Sequence, residues 1–135
     1  MRSNFYATVA MVGRILIAII FIYGGIGKIM HYAQTTHLMT AHGVAGVLLP
    51  AVIALELLGG LALAVGALTR LVAAALAIYS VAAIIIFLLP PANPMIVILV
   101  LAELATIGGL CSYVAAGAGR FSVDRILFGK TQGNA

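Results

Sequence analysis

The stretch Leu71-Val72-Ala73-Ala74-Ala75-Leu76-Ala77-Ile78-Tyr79-Ser80-Val81-Ala82-Ala83-Ile84-Ile85-Ile86-Phe87-Leu88-Leu89 decides the fold of this chain. It carries no charge, and Tyr79 and Ser80 are its only polar side chains. As a helix rising about 1.5 Å per residue, a run of this length crosses about 30 Å of hydrocarbon. It stops at Pro90-Pro91-Ala92-Asn93-Pro94, a segment that cannot continue a helix. Three more apolar runs flank it, so the expected spans are roughly residues 7–30, 48–68, 71–89 and 95–116. Four spans are too few to close a β-barrel, and an open sheet edge cannot face lipid, so each span must be a helix.

Composition agrees with this reading. Hydrophobic residues make up 64% of the chain and charged ones 7%, too few to cover the surface of a soluble domain. The expected class is an all-α membrane protein, a four-transmembrane-helix bundle forming one domain over residues 1–135. Four spans use most of the 135 residues and leave no room for a soluble catalytic domain. The seven Lys and Arg are scattered, so they point to topology and not to nucleic acid. Cys111 stands alone, which excludes an intramolecular disulfide, a dithiol redox pair and a cysteine metal cluster. Met1-Arg2-Ser3-Asn4 is a weak basic leader, but the apolar run after it is long and contains Arg14, so an uncleaved first span is expected.

Counting basic residues beside the spans sets the orientation. Arg2, Arg70, Arg120, Arg125 and Lys130 collect on one side, with Arg14 nearest to it; the other side has Lys28. Both termini are therefore expected in the cytoplasm of a bacterial inner-membrane protein. The loop after the first span carries His31, His37 and His42, but no pair has the i, i+3 or i+4 spacing of a helical metal site, so no metal is expected. A short extracytoplasmic interfacial helix closed by Gly43 suits this loop. Ser122-Val123-Asp124-Arg125 has an N-cap pattern and should start a short cytoplasmic C-terminal helix, with Ile126, Leu127 and Phe128 on the membrane surface and a frayed end at 131–135.

Arg14, Glu56 and Glu103 are charges inside the spans, where a charge normally faces the bundle interior with a partner. Depth counting places the two glutamates level with each other. It puts Arg14 roughly 5–10 Å lower, within reach of its own side chain. Lys28 falls at the outer edge, where it can snorkel to water. Arg14, Ala18, Phe21, Gly25 and Lys28 share one helical face, and Gly59, Gly60, Gly108 and Gly109 let helices approach closely. One base and two acids leave an excess carboxylate, and a buried like-charge pair tends to keep one proton. Such a group suits proton-coupled chemistry, quinone reduction or proton-coupled transport; the plainer alternative is an ion-pair cluster that only fixes packing. Tyr23 and Tyr79 could line a pocket there, although packing or interfacial roles are the plainer reading, and the third span otherwise contributes mainly packing.

The stretches Gly13-Arg14-Ile15-Leu16, Tyr23-Gly24-Gly25-Ile26-Gly27-Lys28 and Ala41-His42-Gly43-Val44 follow one another in a familiar order. After them come Glu56-Leu57-Leu58-Gly59-Gly60-Leu61-Ala62-Leu63, Gly66-Ala67-Leu68-Thr69-Arg70, Leu104-Ala105-Thr106-Ile107-Gly108-Gly109 and Gly117-Ala118-Gly119-Arg120-Phe121-Ser122-Val123-Asp124-Arg125. Together they resemble the DoxX family of small bacterial membrane proteins over about residues 10–127. The resemblance implies a relative of the membrane subunit of a thiosulfate:quinone oxidoreductase, with Arg14, Lys28, Glu56 and Arg70 at the family's polar positions. The chain departs from the family where Ala102-Glu103 replaces a frequent Lys-Asn pair, and where Leu89-Pro90 replaces a histidine.

The expected function is a membrane component of a redox system that binds a quinone or similar apolar small molecule. Candidate ligand-binding or proton-handling residues are Arg14, Lys28, Glu56, Glu103, Tyr23 and Tyr79. Whether the chain is itself catalytic stays open. No flavin, haem or dithiol signature is present, so electrons would come from a soluble or membrane oxidoreductase partner or a bound cofactor. The alternatives are a non-catalytic anchor or assembly subunit for a soluble oxidoreductase, and a small proton-coupled transporter, which would need to homo-oligomerise.

Overall fold

The computed structural model describes residues 2–119 and 121–126. Its helices are α1 (Arg2–Met30), α2 (Tyr32–Ala41), α3 (Leu49–Val65), α4 (Thr69–Ala83) and α5 (Pro94–Ala116). A 3-10 turn at Gly46–Leu48 leads into α3, and α4 runs on as a π-helical segment, Ile84–Leu88. One more helical turn covers residues 123–126, and the described residues contain no strand. Four segments are long and apolar enough to cross a membrane: Asn4–Met30, Gly46–Val65, Thr69–Leu88 and Pro94–Ala116. The expected all-α, four-span class is the one observed. Arg120 and Lys130, used in counting charge, lie outside the described residues, as do Leu127, Phe128 and residues 131–135 of the expected C-terminal helix and tail.

Local chemistry explains the boundaries. Asn93 caps α5 by accepting from the Ile96 N–H at 3.0 Å, and Pro94 occupies the first turn, where its missing N–H is harmless. The π segment closes with the Leu89 N–H donating to the Ile84 carbonyl, just before the proline pair removes further donors. Gly43, at φ +78°, follows α2 and ends it, as expected. Gly66, also at φ +78°, ends α3, and the Ala67 N–H closes the last turn on the Ala62 carbonyl. That glycine stops the helix three residues before the expected end of the span.

Chain direction alternates, so the bundle has an α2 end and a terminal end. The α2 end gathers α2 and the α4–α5 turn; the His42 ring lies 5.0 Å from that of Phe87. The terminal end gathers the start of α1, the α3–α4 turn and the chain after α5. Helix α1 packs along α3 and α4 along α5, while α3 against α4 joins the two pairs. A Cβ on Gly60 would sit 2.8 Å from Ile22 Cγ1 and 3.3 Å from the Ala18 carbonyl oxygen, so α1 and α3 approach to a distance that only glycine allows. Gly109 likewise faces Ile17, whereas Gly108 meets nothing and has no packing role. The core between the helices is Ala18, Phe21, Leu63, Ala73, Leu76 and Leu110. Leu58, Leu71 and Ile78 are exposed and face the surroundings, as a bilayer requires of a bundle this small.

Candidate functional site

The buried charges do not form the single cluster that depth counting places in the middle of the bundle. They separate into two centres, one near each end. At the α2 end, Lys28 Nζ of α1 donates to both Glu56 carboxylate oxygens of α3, at 2.8 and 3.0 Å. The Tyr79 hydroxyl of α4 donates to the same carboxylate, at Oε1. Glu103 of α5 is half-buried and lies within electrostatic reach of Glu56, Lys28 and Tyr79. The Ser80 hydroxyl is buried and turned toward Glu103 without completing a hydrogen bond in ordinary geometry. Four helices thus contribute two carboxylates, one ammonium and two hydroxyls.

Two expectations about this centre need correcting. Lys28 does more than snorkel to water: Gly24 and Gly25, one turn before it, bring α3 close enough for the ammonium to reach Glu56. A Cβ on Gly24 would lie 3.2 Å from Glu56 Oε2, and one on Gly25 would collide with Leu57. Nor is the third span's part mainly packing, because Tyr79 supplies a hydrogen bond and Ser80 a buried hydroxyl. Tyr23 is 79% exposed and stays outside the cluster. It lines a groove of about 540 Å³ between α1 and α2, together with Gly24, Gly27, Lys28, His31 and Gln34. Among the described residues, no three His, Cys, Asp or Glu side chains gather closely enough to hold a metal ion.

Arg14 belongs to the other centre. Gly25 abuts Glu56, and Arg14 lies eleven residues earlier on α1, about 16 Å from that level. This exceeds the reach of its side chain. Arg14 is fully buried instead against the C-terminal end of α3. Its guanidinium donates to the Leu63 carbonyl at 3.1 Å, to the Ala64 carbonyl at 3.0 Å and to the Phe121 carbonyl. A helix C-terminus offers unpaired carbonyls and a negative dipole end, which together suit a cation. Gly66 makes room, since any Cβ there would collide with Arg14 and Ser122.

Asp124 completes this end. Its carboxylate accepts from the backbone N–H groups of Leu68 and Thr69, capping α4 from a remote part of the chain. That capping holds Leu68 at φ 48°, a left-handed conformation that a leucine rarely adopts. The expected Ser122 N-cap is present: its hydroxyl accepts from the Arg125 N–H at 3.1 Å. The Tyr113 hydroxyl ties α5 to α1 through the Ala10 carbonyl at 2.8 Å. Along the sequence, Asp124 reads only as an acid in the first turn of its own helix. The closeness of Asp124 to Ser122 carried no signal for a contact with a turn more than fifty residues earlier.

A four-span helical bundle with a buried acid–base cluster defines a small polytopic membrane protein. The family model described as DoxX matches residues 9–89. Over 117 residues the chain is 39% identical to the inner membrane protein YqjF of Escherichia coli (strain K12), covering 87% of this chain and 90% of that protein. No solved structure matches. The chain belongs to the DoxX family and is an integral inner-membrane protein.

Proposed function

We propose that the protein is the membrane component of a redox system and that it binds a quinone, or a similar apolar carbonyl compound, at the Lys28–Glu56–Tyr79–Glu103 cluster. The observation that carries this reading is the excess carboxylate: Lys28 matches Glu56, and Glu103 has no matching base in the cluster. A buried pair of acids with one base keeps a proton to exchange. Lys28 and the Tyr79 hydroxyl are donors of the type that recognises a carbonyl oxygen. Reducing a quinone to a quinol consumes two electrons and two protons. On this reading Glu56 and Glu103 hand on the protons, and an oxidoreductase partner or a bound cofactor supplies the electrons, since the sequence has no flavin, haem or dithiol signature.

The topology proposed with it puts both termini in the cytoplasm and α2 outside, from the excess of Lys and Arg beside the terminal end. Arg14 leaves the proposed ligand site and becomes part of the scaffold. The test is a melting curve of the purified protein with and without a short-chain quinone. A quinone-induced rise in Tm that disappears in Glu56→Gln is expected, together with quinone in the native lipid extract. No stabilisation and no co-purifying quinone would reject the reading.

A further inference from the structure

The cluster is open on one side and closed on the other. On the α2 side, Gly24 and Gly27 leave the face of α1 bare beneath the groove. Lys28 lines that groove, with its side chain 26% exposed, while Glu56 is only 5% exposed behind it. Glu56 Oε2 lies directly behind the missing side chain of Gly24, and a Cβ on Gly27 would meet nothing within 4 Å. His31, Gln34 and Thr35 give the groove its polar lining on the α2 side, beside the apolar Ile26, Met30 and Leu38. Toward the terminal end the cluster meets the apolar core of Phe21, Leu76, Ala18, Leu63, Ala73 and Leu110, and beyond it the Arg14 seal. None of these six core side chains titrates; Tyr79 and Tyr113 pack against them, and the Tyr113 hydroxyl is committed to the Ala10 carbonyl.

We infer that the groove between α1 and α2 is the aqueous port of the carboxylate cluster, and that protons reach Glu56 and Glu103 from the α2 end alone. The titratable groups facing Glu56 are Lys28 from α1, Tyr79 from α4 and Glu103 from α5; His31 and Tyr23 stand at the groove itself. A proton entering at the mouth meets the Lys28–Glu56 pair first. It passes to Glu103 across the Tyr79 and Ser80 hydroxyls, which rotate to accept and donate. The inference rests on reading the cluster as a proton-handling site, and it is independent of which ligand uses the proton.

Cysteine accessibility tests it, because a thiol reacts as its thiolate and therefore reports water at the site. In a Cys111→Ala background, Gln34→Cys marks the α2 side of sealed vesicles with a membrane-impermeant thiol reagent. Gly27→Cys is expected to react from that same side and to lose all labelling from the other; Leu63→Cys is expected to react from neither. Gly24→Cys, one turn deeper, repeats the test should Gly27→Cys fail to fold. Labelling of Gly27→Cys from the terminal side, or none from the α2 side in a folded variant, would overturn the port, as would a reactive Leu63→Cys. The expected labelling without any quinone-induced shift in Tm would reject the quinone and leave the port standing.

Discussion

The two polar centres use similar materials for opposite ends. Each sets one strong base against α3. Near the α2 end the base meets a side-chain carboxylate, which can gain and lose a proton, and itself lines a groove. Near the terminal end it meets backbone carbonyls, which cannot titrate, and no surface of Arg14 is exposed. A charge within a membrane span is by default a functional candidate. Here the kind of partner separates the two cases: carboxylates leave chemistry available, whereas helix-end carbonyls convert a charge into a fastener.

Removing the fastener should have the largest effect on stability. Arg14→Leu orphans the carbonyls of Ala64 and Phe121, at about 1–3 kcal/mol for each group left unpaired, and leaves that of Leu63 with the Gly66 N–H alone. The expected result is a loss of several degrees in Tm or no folded protein. Arg14→Lys should recover only part of it, because one ammonium cannot span the fork of acceptors. If Arg14→Leu instead kept its Tm and lost only the quinone response, the two centres would have to exchange roles.

The pair at the α2 end should come next. Lys28→Met leaves Glu56 without its base and is expected to lower Tm, while Lys28→Met combined with Glu56→Gln should restore much of the loss. The cycle should give a coupling of roughly 0.5–3 kcal/mol, and additivity of the two variants would break the assignment of the pair. Asp124→Ala removes the cap of α4 and should cost about 1 kcal/mol in thermal or denaturant unfolding, without altering quinone binding. The smallest stability change belongs to Tyr79→Phe, about 0.6 kcal/mol for one hydrogen bond within a helical membrane bundle. Its quinone-induced Tm shift should nonetheless fall clearly. A full shift retained in Tyr79→Phe would take the hydroxyl out of the site.

Much of this was legible along the chain. The charge-free run at 71–89 and the proline turn after it fix helical spans, because lipid leaves the backbone no other way to satisfy its hydrogen bonds. Helical phase put Arg14, Ala18, Phe21, Gly25 and Lys28 on one face, and the first four are buried. Glu56 was recognisable as a buried acid needing a base. Its choice of base was not, since Arg14 and Lys28 lie on the same face and only the relative slide of α1 against α3 distinguishes them. Gly24 and Gly25 were the available clue: two small residues mark where a neighbouring helix comes closest.

By itself, then, the sequence determined the number of spans, their helical nature, the inward face of α1 and the presence of an unmatched carboxylate. These follow from local hydropathy, helical period and charge counting, which need no knowledge of neighbours. Tertiary structure alone decided that Lys28 takes Glu56, that Arg14 clasps the end of α3, and that Asp124 caps a helix far earlier in the chain. Each of those depends on the register between helices to within one turn. Register is set by side-chain volume at the contacts, Gly60 against Ile22 and Gly25 against Leu57, and not by any pattern along one strand of sequence.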